Sequence, residues 1–170
     1  TAAGGNGDRI DKQTLIPMPH IHEKIDFVAD VFIVYKNKVL LRKHDKYKIW
    51  LSPGGHVELH EDPNQAAVRE AWEEVGLKIK LAGQTQKNKD KSTDLIPPKF
   101  INRHRINKDH EHISFIYFAT AKTDRIKQGS CEISDNIRWF TAKELSNPKY
   151  GILERIKYYA QKAIQELGKK

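Results

Sequence analysis

Glu70, Glu73 and Glu74 stand close together in a segment that also carries Glu61 and Arg69. At about 100° per helical residue, with Glu70 set at 0°, Glu73 falls near 300° and Glu74 near 40°. The three carboxylates therefore share one face. Ala67, Val68, Ala71, Trp72 and Val75 fall between about 60° and 200° and are the expected buried stripe, while Arg69, near 260°, lies beside the acids but outside their arc. Like charges at i,i+3 and i,i+4 each destabilise a helix by roughly 0.2–0.5 kcal/mol. Acids toward a helix C-terminus also oppose its dipole. A solvated acidic face is one reading of this cluster. The other is a divalent cation, which reverses the sign of the repulsion: Mg²⁺ and Mn²⁺ take carboxylate oxygens and keep positions open for substrate phosphates.

The elements that must position these acids are legible nearby. Asp62 is a good N-cap, Pro63 suits the first helical position, and Gly76 ends the helix after Val75. Pro53-Gly54-Gly55 breaks the chain sharply before it. Residues 27–35 (FVADVFIVY) read as a buried strand, with 39–42 as its hairpin partner across a polar turn. A short apolar piece, 49–51, precedes the Gly-Gly turn. Residues 77–81 alternate as a half-buried strand does. Residues 84–94 are polar without period and are expected to be a loop. Strands are expected at 100–106, 113–121 and 137–140, and Thr141 with Glu144 forms a capping-box pattern. A long C-terminal helix is expected from Pro148, with Ile152, Ile156, Tyr159, Ala160, Ala163, Ile164 and Leu167 in helical period. This mixed order predicts a single layered α/β domain over 8–170. Residues 1–7, small and Gly-rich, read as a flexible tail or a cloning remnant.

Composition bounds the function. The chain has 170 residues, a net charge of +8 and 38% hydrophobic residues, which excludes a collagen-like or fully disordered chain. One cysteine, Cys131, excludes an intramolecular disulfide and a cysteine-based zinc cluster, and fits a reducing, cytoplasmic setting. No apolar run is long enough to span a bilayer and no signal peptide is visible. Between Glu58 and Glu74 six acids face one base, a net −5, so the remainder carries +13. Such a basic surface would attract a polyanion toward an acidic centre.

Residues 55–77, GHVELHEDPNQAAVREAWEEVGL, resemble the Nudix box. Every defining position is filled: Gly55, Glu61, Arg69, Glu70, Ala71, Glu73, Glu74, Gly76 and Leu77. His60 stands where a glycine often precedes the box glutamate. The resemblance implies an α/β/α sandwich with a mixed sheet, the box forming a loop–helix–loop. It also implies Mg²⁺- or Mn²⁺-dependent hydrolysis of a nucleoside diphosphate linked to another moiety, such as a triphosphate, nucleotide sugar or dinucleotide. Glu70, Glu73 and Glu74 match the metal-binding glutamates, and Gly54 would supply a backbone carbonyl. Glu61 and Arg69 match positions that brace the loop and orient the acids. Glu132, or else Glu111, is a candidate for a further acidic ligand or base from a later loop. Glu70 is the chosen general base.

Other residues carry plainer readings. His104, His110 and His112 cluster near Glu111, and His20 pairs with His22; without a tight spacing such as His-Glu-x-x-His, they read as surface or pocket-edge groups rather than a zinc site. Trp50, Tyr47, Phe100 and Tyr117 read as core before base-stacking platforms, and Trp139 as core. The lysines of 84–94 read as a solvated loop before an RNA contact, and the C-terminal helix as packing before a homodimer interface. Two alternatives to a small-nucleotide hydrolase remain. An RNA 5′-pyrophosphohydrolase is favoured by charge but lacks an RNA-binding module. A non-catalytic nucleotide sensor has no need of intact Glu70, Glu73 and Glu74.

Overall fold

The apolar run 27–35 becomes the spine of the fold. In the computed structural model, which describes residues 24–44, 47–128, 134 and 136–168, it forms β1 (Ile25–Tyr35). The remaining strands are β2 (Lys38–Lys43), β3 (Trp50–Leu51), β4 (Gly54–His56), β5 (Ile79–Leu81), β6 (Gln86–Lys87), β7 (Thr93–Asp94), β8 (Phe100–Arg105), β9 (Glu111–Ala121) and β10 (Ile137–Thr141). The helices are α1 (Pro63–Val75), α2 (Ala142–Leu145) and α3 (Glu154–Leu167).

The main sheet runs β10-β2-β1-β9-β5, with β3 joined to β2, β4 to β1 and β8 to β9. β1 and β9 pair in parallel from Ile25↔Glu111 to Val34↔Thr120, and the other pairings are antiparallel. The sheet is therefore mixed, as expected. β1 is apolar on both faces because both are covered. Ala29, Val31 and Ile33 pack under α1 with Ala67, Ala71 and Val75. Phe32 and Val34 face α3 with Ile156, Tyr159, Ala160 and Ala163.

Five details depart from the sequence reading, the first being Tyr47, expected in the core but 48% exposed and packed on His44 in the loop after β2. Val68 and Trp72 are 42% and 54% exposed, while Ala66 is buried. Small alanines let α1 lie close to the sheet, and the contact arc rotates so that Glu74 turns inward instead. The C-terminal helix begins at Glu154, not Pro148: Pro148–Tyr150 is a separate 3₁₀ turn closed by Gly151 in the left-handed region, φ 59°. Within 84–94 a minimal exposed hairpin, β6–β7, pairs Gln86 with Asp94 and Lys87 with Thr93. Trp139 is only half-buried; its indole N–H donates to the Asp124 carbonyl at 3.1 Å, and its ring lies 5.9 Å from that of Tyr35. Trp50 and Tyr117 are core, Phe100 packs on Phe118 and Tyr159, and Tyr47 is exposed. Residues 1–7, with His20 and His22, lie outside the described residues.

α1 starts and stops where its caps place it. The Asp62 carboxylate accepts from the Asn64 and Gln65 N–H groups, and the Gln65 side chain accepts from the Asp62 N–H, a complete capping box. The Asn64 amide exchanges two hydrogen bonds with the Ile96 backbone, at 2.8 and 2.9 Å, and so anchors the helix start to the segment before β8. Gly76 ends the helix at φ 65°, where a Cβ would stand 2.3 Å from the Lys127 carbonyl oxygen. The left-handed conformation alone costs a non-glycine residue about 1–2 kcal/mol. Gly76→Ala should therefore destabilise the fold by at least that amount, seen in urea titration as a lower midpoint at unchanged m.

Candidate active site

The site is built on the turn between β4 and α1. β4 pairs with β1 through Asp30↔Gly54, Ala29↔Gly55 and Val28↔His56, so Gly54 and Gly55, expected to break the chain, are strand residues beneath α1. A Cβ at Gly55 would lie 2.2 Å from Glu70 Oε1. The missing side chain is what gives the Glu70 carboxylate its place against β4.

Arg69 holds the arrangement together. Its Nε and Nη2 donate to Glu61, the shortest bond being 2.7 Å, and Nη2 also donates to the His56 carbonyl at 2.9 Å. Its Nη1 donates to Glu70 Oε1 at 2.8 Å and to Glu73 Oε2 at 2.9 Å. The helical angle set Arg69 outside the acidic arc, but its long side chain spans the difference. The Glu61 hydrogen bond, followed by the charge of Glu70, raises the Arg69 pKa further above its already high value, although burial opposes this. Glu61 also accepts from the Glu58 N–H at 3.1 Å, which closes the loop ahead of the helix.

Glu74 is held separately. It is 3% exposed, accepts from the Gly54 N–H at 3.0 Å and pairs with Arg42 on β2. Removing one partner of such a buried pair costs roughly 3–5 kcal/mol, because the other charge is left uncompensated. The structure thus joins Glu61, Glu70 and Glu73 through Arg69, and sets Glu74 on Gly54 and Arg42. Glu111 is elsewhere engaged: it accepts from Arg103 at 2.7 Å on β8. Glu132 and Cys131 lie outside the described residues.

Two groups escaped the sequence reading. Arg42 gave no signal in an apolar strand. Asp30 lies against Gly54, its Oδ1 2.7 Å from where a Gly54 Cβ would be. Burial raises the Asp30 pKa to about 6, with Ser114 and Arg155 pulling it back. An open groove of about 920 Å³ also runs beside the Glu61–Arg69 bridge, lined in part by Val68, Leu81, Leu95 and Ile96.

A mixed sheet between helical layers is an α/β/α sandwich, and Arg69 gathers acids of the β4–α1 loop and of α1 at one edge of it. The chain belongs to the NUDIX domain family, whose model matches residues 26–161. It is 34% identical over 97 residues to a probable DHNTP pyrophosphohydrolase of Lactococcus lactis, covering 57% of this chain and 55% of that protein. It is 29% identical over 112 residues to the bovine (Bos taurus) diphosphoinositol polyphosphate phosphohydrolase 3-beta, covering 64% and 58%. The chain thus spans little more than half the length of these curated relatives. A solved NUDIX-family hydrolase from Clostridium perfringens is 34% identical, with a TM-score of 0.77 over 84% of this chain and 97% of that one. Nudix hydrolases generally use divalent metal ions. No helix among the described residues is long and apolar enough to cross a membrane.

The Glu61 carboxyl is pulled up by burial, but the hydrogen bonds from Arg69 and from the Glu58 N–H outweigh this and hold its pKa below the ordinary value. A folded-state pKa below the unfolded one stabilises above the unfolded value, and that contribution is lost as pH falls through the folded value. The stability difference between the wild type and Glu61→Gln should therefore be full above about pH 5 and shrink as pH falls below about 4. Urea unfolding across that range measures it.

Proposed function

We propose that this chain is a divalent-metal-dependent pyrophosphohydrolase that cleaves a phosphoric anhydride bond in a nucleoside diphosphate linked to another moiety. The observation that carries this reading is the single Arg69 guanidinium bonded to Glu61, Glu70 and Glu73. It collects carboxylates that would otherwise repel, and Gly55, with no side chain, makes room for Glu70. The pyrophosphohydrolase and phosphohydrolase named among the relatives support the bond type. The groove beside the Glu61–Arg69 bridge falls in the size range of small-molecule sites.

The donor set suits a hard divalent ion by its chemistry: the box offers carboxylate oxygens, and the missing Gly55 Cβ leaves the space that Glu70 occupies. Glu70, Glu73 and Glu74 would hold Mg²⁺ or Mn²⁺, with Gly54 contributing its backbone carbonyl and Glu132 a further carboxylate. Such an ion neutralises pyrophosphate oxygens and acidifies water. Glu70 takes the proton as the water oxygen bonds to phosphorus and the bridging P–O bond breaks, releasing two phosphate-bearing products. Arg69 positions Glu70 and Glu73 throughout. The excess of basic residues elsewhere draws the polyanionic substrate in.

Incubation with Mg²⁺ or Mn²⁺ and a panel of nucleoside triphosphates, nucleotide sugars, dinucleotides and 5′-triphosphate RNA, resolved by chromatography, tests the proposal. One small-nucleotide group should be cleaved, and chelation should abolish the cleavage. Glu73→Gln, at a half-exposed position, should lower turnover by about 10²–10⁴-fold without loss of fold. Cleavage of the RNA alone would move the substrate to that class. No turnover by a folded, metal-loaded protein would leave the sensor reading.

A further inference from the structure

We infer a second metal site, built from imidazoles rather than from the box carboxylates: Asp26, His56, His110 and His112 form a four-ligand centre for a borderline transition ion of the Zn²⁺ class. Among the described residues, one ligand atom from each of these four lies within 4.8 Å of all the others. Asp26 Oδ2 is 3.4 Å from His56 Nε2 and 3.3 Å from His110 Nε2, and the two Nε2 atoms of His110 and His112 are 3.1 Å apart.

The same contacts are an imidazole–carboxylate ion-pair set and the outline of a coordination shell. Four ligands at the usual 2.0–2.1 Å around a tetrahedral Zn²⁺ stand about 3.3–3.4 Å from one another. Both contacts to Asp26, at ion-pair distance, match the tetrahedral edge. The imidazole pair is a few tenths of an ångström tighter than that edge. Three nitrogen donors and one carboxylate oxygen also suit Zn²⁺, where the oxygen-only set of the box suits Mg²⁺. A buried carboxylate at the centre, Asp26 being 1% exposed, favours a cation over a phosphate group.

The fold explains the convergence. Asp26 and His112 are paired across the parallel β1–β9 ladder, and Val28 opposite His56 brings β4 to the same end. His110 and His112 alternate along one chain, so both imidazoles fall on one face while Glu111 turns toward Arg103. Four protein donors fill a tetrahedral shell and mark a structural ion rather than a catalytic one. That ion would clamp β1, β4 and β9 two residues beyond Gly54. His56, whose carbonyl accepts from Arg69, is where the clamp and the carboxylate assembly meet.

Co²⁺ titration of the chelator-treated chain tests this independently of catalysis. One equivalent should give the intense visible absorption of tetrahedral Co²⁺, which a six-coordinate oxygen site does not produce, and Zn²⁺ should displace it. Zn²⁺ at about 100 times its Kd should raise the melting temperature by roughly 5–10 °C. His112→Asn and, separately, His110→Asn should lose both signals, whereas Glu73→Gln keeps them. Far-UV circular dichroism confirms that each variant is folded. A wild-type chain giving no tetrahedral spectrum overturns the proposal, as does a spectrum that survives both histidine variants or is lost with Glu73→Gln.

Discussion

Three of the site's acids, Glu61, Glu70 and Glu73, depend on one guanidinium placed among them. Glu70 and Glu73 repel each other across a turn of α1, at the end of the helix where negative charge is least favoured. Arg69 offsets this by donating to both from one nitrogen while its remaining nitrogens grip Glu61 and the His56 carbonyl. Lysine, a compact point charge, cannot reproduce that fork. The bridge also couples local structure to the sheet: Glu61 closes the loop before the helix, and His56 belongs to β4, which is paired with β1. Loop, helix and sheet are thus tied through a single side chain.

The second constraint is the close approach of backbone to carboxylate. Gly55 leaves room for Glu70, and the Gly54 N–H binds Glu74. Small alanines on α1 permit the approach from the other side. The same rotation that buries Glu74 turns Trp72 and Val68 to solvent. Packing at the back of the helix and charge placement at its front are one adjustment.

Most of this was legible in the sequence where local rules govern. Asp62, Pro63 and Gly76 bounded α1 because capping is a matter of a few consecutive residues. The nearness of Glu70 and Glu73 on α1 followed from helical angle, and the spacing from Gly55 to Leu77 named the family. What the sequence left hidden was set by contacts between distant segments. Arg42 meets Glu74 across 32 residues, and helical angle alone could not show that Glu74 would turn inward. The alternation His110-Glu111-His112 was a signal for two imidazoles on one strand face, but Asp26 and His56 reach them only through sheet pairing. Pro148 suited a helix start, and the break came from Gly151, whose left-handed conformation depends on the turn it closes.

The central claim is that the Glu61–Arg69 bridge acts as a unit to hold the carboxylates in working position. A double-mutant cycle on kcat/KM with Glu61→Gln, Arg69→Lys and the pair measures this directly. If the bridge is one device, the double variant loses little more than the worse single variant, with a coupling of roughly 0.5–3 kcal/mol. Losses that simply add would show the two residues acting separately and would contradict the account.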